Sequence, residues 1–101
     1  MDPFEEINNI KDTFDEYIDI WVEINGRKKN TFAIGWNIPE SQLKDHLRTI
    51  KKSNGCNGTI KNVINGTNSV RAMQLQGDHS HYLRQYMINK GVDATLIRIK
   101  G

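Results

Sequence analysis

Cys56 and the three histidines His46, His79 and His81 are the residues of this chain with the types needed for nucleophilic or metal chemistry. A cysteine becomes a nucleophile when a neighbouring base or cation lowers its pKa. Nothing in the local pattern ties a histidine to Cys56, which sits among glycines in "SNGCNG", so an idle or buried thiol accounts for it better. In "DHSH" the histidines His79 and His81 stand at i and i+2, and a helix directs such a pair to different faces rather than to one metal. A phosphate-binding GxxxxGK run followed by Ser or Thr is absent, as is a paired-acid constellation. The residues therefore predict no catalytic group, no metal site and no cofactor.

Binding chemistry is better represented. In "EINGRKKNTF", an Asn25-Gly26 turn signal is followed at once by Arg27, Lys28 and Lys29, so three mutually repelling cations crowd one hairpin tip. A second basic group, Lys44, Arg48, Lys51 and Lys52, recurs at helical spacing. Basic tips and helices of this kind suit sequence-blind contacts with a phosphate backbone. Gly55-x-x-Gly58 matches the spacing of an RNA-clamping GXXG loop, but that loop joins two helices and here a strand follows. Asn57-Gly58-Thr59 and Asn65-Gly66-Thr67 have the form of glycosylation sequons and read more simply as turn residues. Trp21 has two open roles, stacking on a base or packing against a neighbour.

The charge is segregated along the chain. Residues 1–24 hold eight acids against Lys11 alone, whereas residues 25–101 hold thirteen bases against four acids, which the net charge of +2 conceals. A basic body attracts polyanions, and an acidic leader shields that body or finds its own partner. With 101 residues the chain has room for one domain. No apolar run reaches the roughly 18–20 residues of a membrane span. The start "MDPFEE" is acidic where a signal peptide is basic, and the lone Cys56 excludes an intrachain disulfide. These features predict a cytosolic, cytoplasmic chain with no membrane partner, a monomer when free.

Elements to position the cations can be read from periodicity. Residues 1–15 read as an acidic, flexible tail in which Phe4, Ile7, Ile10 and Phe14 fall at helix-like spacing, and residues 16–101 as the domain. Tyr17–Ile24 alternates as a strand with Ile18, Ile20, Val22 and Ile24 inward, and Thr31–Trp36 continues the sheet with Phe32, Ile34 and Trp36 on one face. Pro39 and Ser41 open a helix over Ser41–Lys52 with Leu43, Leu47 and Ile50 inward. Strands near Thr59–Ile64 and Val70–Gln76 follow. Asp78 is placed to cap a helix from His79 to Lys90, with Leu83, Tyr86 and Met87 inward and Gly91 as its stop. Ala94–Lys100 makes the last strand. The expected fold is an α/β (α+β) two-layer sandwich in the order ββαββαβ, a mixed five-stranded sheet with two helices on one face.

Three segments together, "YIDI…NGRKKNTF", "LRTIKK…CNGTI" and "MQLQGD", stand in the order and spacing of the eukaryotic translation initiation factor 1 family, which the chain resembles from Tyr17 to Gly101. "IRIKG" at the end and Asp2-Pro3-Phe4 in the tail add to the resemblance. Lys29-Asn30, His79-Ser80, Trp21 and "INGTNS" depart from the family pattern. The resemblance implies a translation initiation factor that binds the small ribosomal subunit near the P site and enforces start-codon selection during scanning. It implies an rRNA-binding hairpin of Asn25, Gly26, Arg27, Lys28, Lys29 and Asn30, and an rRNA-binding helix face of Lys44, Arg48, Lys51 and Lys52. It further implies a loop of Ile64, Asn65, Gly66, Thr67, Asn68 and Ser69 facing initiator tRNA. Ribosomal RNA, initiator tRNA, mRNA and other initiation factors would be the partners, and no reaction would be catalysed. A general RNA-binding module, or a protein-interaction regulator acting through the acidic tail and Trp21, are the alternatives.

Overall fold

The alternation of the first strand survives folding only in part, and its failure point locates the edge of the core. The computed structural model describes residues 17–65 and 68–100; the expected tail, Gly66, Thr67 and Gly101 lie outside the described residues. Strand β1 (Ile18–Asn25) buries Ile18 and Ile20, whereas Ile24 is 69% exposed. The hairpin formed with β2 (Lys28–Ile34) therefore extends past the apolar layer. Helix α1 (Glu40–Asn54), strands β3 (Gly58–Asn65) and β4 (Asn68–Gln76), helix α2 (Ser80–Asn89), a 3-10 turn (Ala94–Leu96) and β5 (Ile97–Lys100) complete the expected order ββαββαβ.

The sheet runs β3-β4-β2-β1-β5. Its pairs are antiparallel except β1 with β5, which are parallel, so the sheet is mixed. Both helices cover one face. Leu43, Leu47 and Ile50 of α1 and Leu83 and Met87 of α2 pack on Ile18, Ile20, Ala33, Met73, Leu75 and Ile97. The i, i+4, i+7 spacing in α1 puts its three apolar side chains on one stripe, as the sequence predicts. Gly55 ends α1 in the left-handed region, with its N–H on the Lys51 carbonyl.

Two details differ from the sequence expectation. Trp21 pairs with Phe32 and Ile20 with Ala33, so Thr31 and Ala33 face the helices and Phe32 and Ile34 face the open side of the sheet. Trp36 does not share their face. Gly35 leaves the strand at a φ of 95°, a conformation that favours glycine, and Trp36 stacks on His46 of α1 at 4.7 Å between ring centroids. The second difference is at the start of α2. Asp78 is not the cap of the helix; its Oδ1 takes the Ser80 N–H and hydroxyl while His79 holds the cap position.

The start of α2 is instead fastened from β2. The fully buried Thr31 hydroxyl donates to the Gly77 carbonyl at 2.6 Å and accepts from the His79 N–H at 2.8 Å. The Gly77 N–H in turn donates to the Lys29 carbonyl at 2.7 Å. Thr31→Val removes both side-chain bonds and leaves a half-buried N–H and a carbonyl without their partner. The expected loss is about 1–3 kcal/mol in urea denaturation, with most of it restored in Thr31→Ser.

His46 gives a pH dependence. Burial and the Lys90 ammonium hold its imidazole below the ordinary value, opposed by Asp45, and its Nδ1 meets the Tyr86 hydroxyl at 2.8 Å. The unfolded chain therefore binds this proton more readily than the folded one, and stability falls as pH drops below about 6.5. Melting curves should show that fall between about pH 7 and 5 in wild type and a flatter profile in His46→Phe. Glu40, Asp78 and Asp93, whose partners lower their pKa values, lose their contribution only nearer pH 4.

Candidate nucleic-acid interface

Asn25 pairs with Lys28 across the first hairpin, which leaves Gly26 and Arg27 as the two turn residues. Gly26 has a φ of 65° and Arg27 a negative one, the pattern of a type II′ turn with glycine in the first central position. The Asn25-Gly26 signal thus marks the turn one residue early. This shift has a consequence for the cations. Arg27 stands at the tip itself, and strand alternation then aims Lys28 to the open side and Lys29 to the helix side. The three charges splay around the tip instead of stacking, which reduces their mutual repulsion and presents cations in several directions.

The helix divides its four cations unequally. Lys44 sits 3.2 Å from Glu40 and Arg48 3.7 Å from Asp45, both within α1, and Arg71 of β4 holds Glu40 at 3.0 Å. Lys51 and Lys52, in the last turn, have no acidic partner among the described residues, and neither do Arg27, Lys28 and Lys29. Register places these two groups at one end of the sheet. Gly58, four residues beyond α1, aligns with Leu75, Leu75 with Thr31, and Thr31 with Val22 near the hairpin root. The second hairpin closes the opposite end, where Asn65 pairs with Asn68 and Ile64 is 83% exposed. Of the residues expected to face tRNA, Gly66 and Thr67 lie outside the described residues. The structure therefore gathers the hairpin and the end of α1, and separates them from the Ile64–Ser69 loop by the length of the sheet.

The residues weighed for other chemistry have local employment. Gly55 caps α1, and a side chain at Gly58 would run into the Gln74 carbonyl and Leu75, so the GXXG spacing serves the backbone. Cys56 is half-buried against the core cluster. His79 Nε2 lies 2.8 Å from the Gln76 carbonyl. Among the described residues no three His, Cys, Asp or Glu side chains gather where a metal could sit, and no helix is long and apolar enough to cross a membrane.

Sequence reasoning missed a cluster on the open face. Trp21 packs flat on Phe32 at 5.4 Å and donates its indole N–H to Glu23, while the Lys61 ammonium stands 5.2 Å from the Phe32 ring centre. Beside them Arg98 grips Asp19 with two bonds of 2.8 and 3.2 Å, and Lys100 lies 3.6 Å from the same carboxylate. Alternation within β3 is the signal that assigns Lys61 to a face, but placing it over Phe32 needs the strand order.

Comparison with known proteins points to one family. A family model described as translation initiation factor SUI1 matches residues 14–93. The chain is 33% identical over 104 positions to the protein translation factor SUI1 of Eremothecium gossypii, covering 100% of this chain and 92% of that protein. Its fold is similar to the crystal structure of the C-terminal domain of human eIF2D, with a TM-score of 0.66 at 16% identity, covering 81% of this chain and 41% of that one.

Arg27, Lys28, Lys29 and Lys52 are exposed, Lys51 is half-buried, and none has an acid partner among the described residues. Replacing Arg27, Lys28 and Lys29 together by alanine, or Lys51 and Lys52 together, should change unfolding free energy by no more than about 0.5 kcal/mol per site. Chemical denaturation of both variants checks this, and a larger loss would assign the cations to the fold.

Proposed function

Because the chain belongs to the SUI1 translation initiation factor family, we propose that it acts in initiation as a start-codon fidelity factor, bound to the small ribosomal subunit near the P site. The observation that carries this reading is the set of five cations at one end of the sheet, exposed Arg27, Lys28, Lys29 and Lys52 with half-buried Lys51, with no described acid to neutralise them. Ribosomal RNA supplies phosphates for such a set. Lys44 and Arg48 join them by exchanging exposed ion pairs, each worth about 0–1 kcal/mol, for phosphate contacts.

On this reading Asn25 and Asn30 frame the hairpin that reaches rRNA, and Ile64–Ser69 faces initiator tRNA. The factor and a fully seated tRNA then weaken each other's binding reciprocally. A coupling of roughly 1–3 kcal/mol disfavours seating about 5–150-fold, so a poorly paired codon is rejected while a well-paired one expels the factor. The protein works by binding and not by catalysis, in the cytoplasm where scanning subunits, mRNA and other initiation factors are found. General RNA binding uses the same unpaired cations and is the reading to be separated.

Binding to purified eukaryotic small subunits and to an unrelated structured RNA across a salt series makes the separation. Wild type should prefer subunits. The Arg27→Ala, Lys28→Ala, Lys29→Ala variant should lose that preference and show a salt slope shallower by roughly 0.7–0.9 for each phosphate contact removed. Equal affinity of wild type for both RNAs would leave only the general module.

A further inference from the structure

The chain contains four Asn-Gly pairs, at Asn25, Asn54, Asn57 and Asn65. Asparagine before glycine is chemically labile, because with no side chain in the way the glycine nitrogen can reach the asparagine Cγ. The fold does not leave the pairs equally free to react. Asn54 donates its Nδ2 to the Ile50 carbonyl at 2.9 Å, and the Gly55 N–H, which would supply the attacking nitrogen, is bonded to the Lys51 carbonyl. Gly58 is wedged against β4, where a Cβ would meet the Gln74 carbonyl at 2.6 Å, and the Asn57 carbonyl is held by the Gln76 N–H at 2.9 Å. Gly66, the partner of Asn65, lies outside the described residues.

Asn25 is under none of these restraints. It and Gly26 are exposed, the Gly26 N–H donates to no backbone acceptor among the described residues, and nothing stands within 4 Å of where a Gly26 Cβ would be. Bringing the Gly26 nitrogen under Cγ disturbs only the last pair of the ribbon, Asn25 with Lys28, in a segment with no apolar layer beneath it. Charge favours the same step. The attack needs the Gly26 nitrogen without its proton and puts negative charge on the Asn25 Oδ1, and nearby cations stabilise both. Arg27 adjoins Gly26 in the chain, and Lys28 is the cross-strand neighbour of Asn25 on the same face. The carboxylate two residues earlier, on Glu23, accepts the Trp21 indole N–H at 2.9 Å.

We propose that Asn25 is a site of self-modification that lowers the charge of the basic hairpin tip. The deprotonated Gly26 nitrogen adds to Cγ of Asn25, the Cγ–Nδ2 bond breaks, and ammonia leaves as a five-membered imide closes. Solvent water then opens the imide at either carbonyl. One opening gives aspartate. The other breaks the original bond between the Asn25 carbonyl carbon and Gly26 and leaves isoaspartate, with an extra methylene in the backbone. Water is consumed, ammonia is released, and nothing is oxidised or reduced. Either product sets a carboxylate beside Arg27, Lys28 and Lys29, so residues 25–29 fall from +3 to +2. Isoaspartate also lengthens the chain at the turn and breaks the Asn25–Lys28 register. A phosphate backbone then meets an acid among the tip cations. The chemistry needs no ribosome; its effect on subunit capture rests on the initiation-factor reading.

The test ages wild type and Asn25→Gln side by side in mildly alkaline buffer, native and in urea, followed by tryptic mapping with mass spectrometry. Asn25 is the only side-chain amide in the peptide of residues 12–27, so a mass gain there reports it alone. Methylation by an isoaspartyl methyltransferase identifies the isoaspartate product. In the native chain Asn25 should react about tenfold or more faster than Asn54 and Asn57, and urea should bring the three rates together. Aged wild type should bind small subunits and an unrelated structured RNA with a salt slope shallower by roughly 0.7–0.9, the loss of one phosphate contact. Aged Asn25→Gln should match its fresh sample. An unmodified Asn25, or equal native rates at Asn25, Asn54 and Asn57, overturns the site. Modification with an unchanged slope, or an equal decline in Asn25→Gln, overturns the loss of capture. Fresh wild type that fails to prefer subunits sinks the initiation reading instead, and the mass result still decides the site.

Discussion

Thr31 stands where the basic hairpin leaves the core, and the placement of everything beyond it depends on its hydroxyl. The segment Glu23–Lys29 has no apolar layer beneath it, since Ile24 is exposed and the buried stripe ends near Val22. A two-stranded ribbon without a packed face is marginal in water. Here its root is tied on one side by Thr31 to the Gly77 carbonyl and the His79 N–H, and by the Lys29 carbonyl to Gly77. The tie joins β2 to the turn between β4 and α2, so the direction of the hairpin is fixed relative to the helical layer. Burying a threonine costs its desolvation, which these two bonds offset. The result is a stiff base under a tip that carries only charge.

A division of labour among the cations follows from where acids were placed. Asp19 takes Arg98 and Lys100, and Glu40 takes Lys44 and Arg71, so the charges on β5, on β4 and on the first half of α1 are balanced locally. Each such pair is worth little on an exposed surface, but together they remove four cations from competition for a polyanion. The Glu40–Arg71 pair also links the start of α1 to β4. Of the cations left without an acid among the described residues, Arg27, Lys28, Lys29, Lys51 and Lys52 stand at one end of the sheet, with Asp78 near Lys29 and Glu23 on β1 as the carboxylates of that end, while Lys61, Arg84 and Lys90 lie on β3 and along α2.

The strongest periodicities were legible before folding. The inward stripe Leu43, Leu47, Ile50, the inward pair Leu83 and Met87, and the ββαββαβ order follow from 3.6- and 2-residue periods. The face taken by Phe32 was not, because β2 has apolar residues on both sides and only pairing with β1 decides which side meets the helices. Trp36 was misassigned for a related reason, since Gly35 breaks the alternation that would have aimed it. Asn25-Gly26 and Gly26-Arg27 are both acceptable turn centres, and the choice rests on cross-strand register rather than on local preference. At the candidate site, the hairpin and helix cations could be named from their types. That Lys44 and Arg48 are paired while Lys51 and Lys52 are not depends on Glu40 and Asp45 standing four and three residues upstream, a pattern visible in the sequence. That the hairpin and the end of α1 share one end of the sheet required the strand order, which pairs β2 with β4.

The two unpaired groups are not equivalent as phosphate ligands. Lys51 and Lys52 lie in the last turn of α1, where the unsatisfied carbonyls present roughly half a negative charge. That field already offsets part of their charge, so a phosphate brought to them also approaches the negative end of the helix. The hairpin has no such compensation, because antiparallel strands carry almost no net dipole. Its three cations also extend into solvent beyond any low-dielectric wall, where they are the first charges an approaching polyanion meets. Under the proposed function, capture belongs to Arg27, Lys28 and Lys29, and the helix end adds a second point that sets orientation once the first is made. Two points at one end of one sheet define an axis, and under the proposed function an axis is what the opposite hairpin needs if Ile64 is to be held in a constant position at the far end of the sheet.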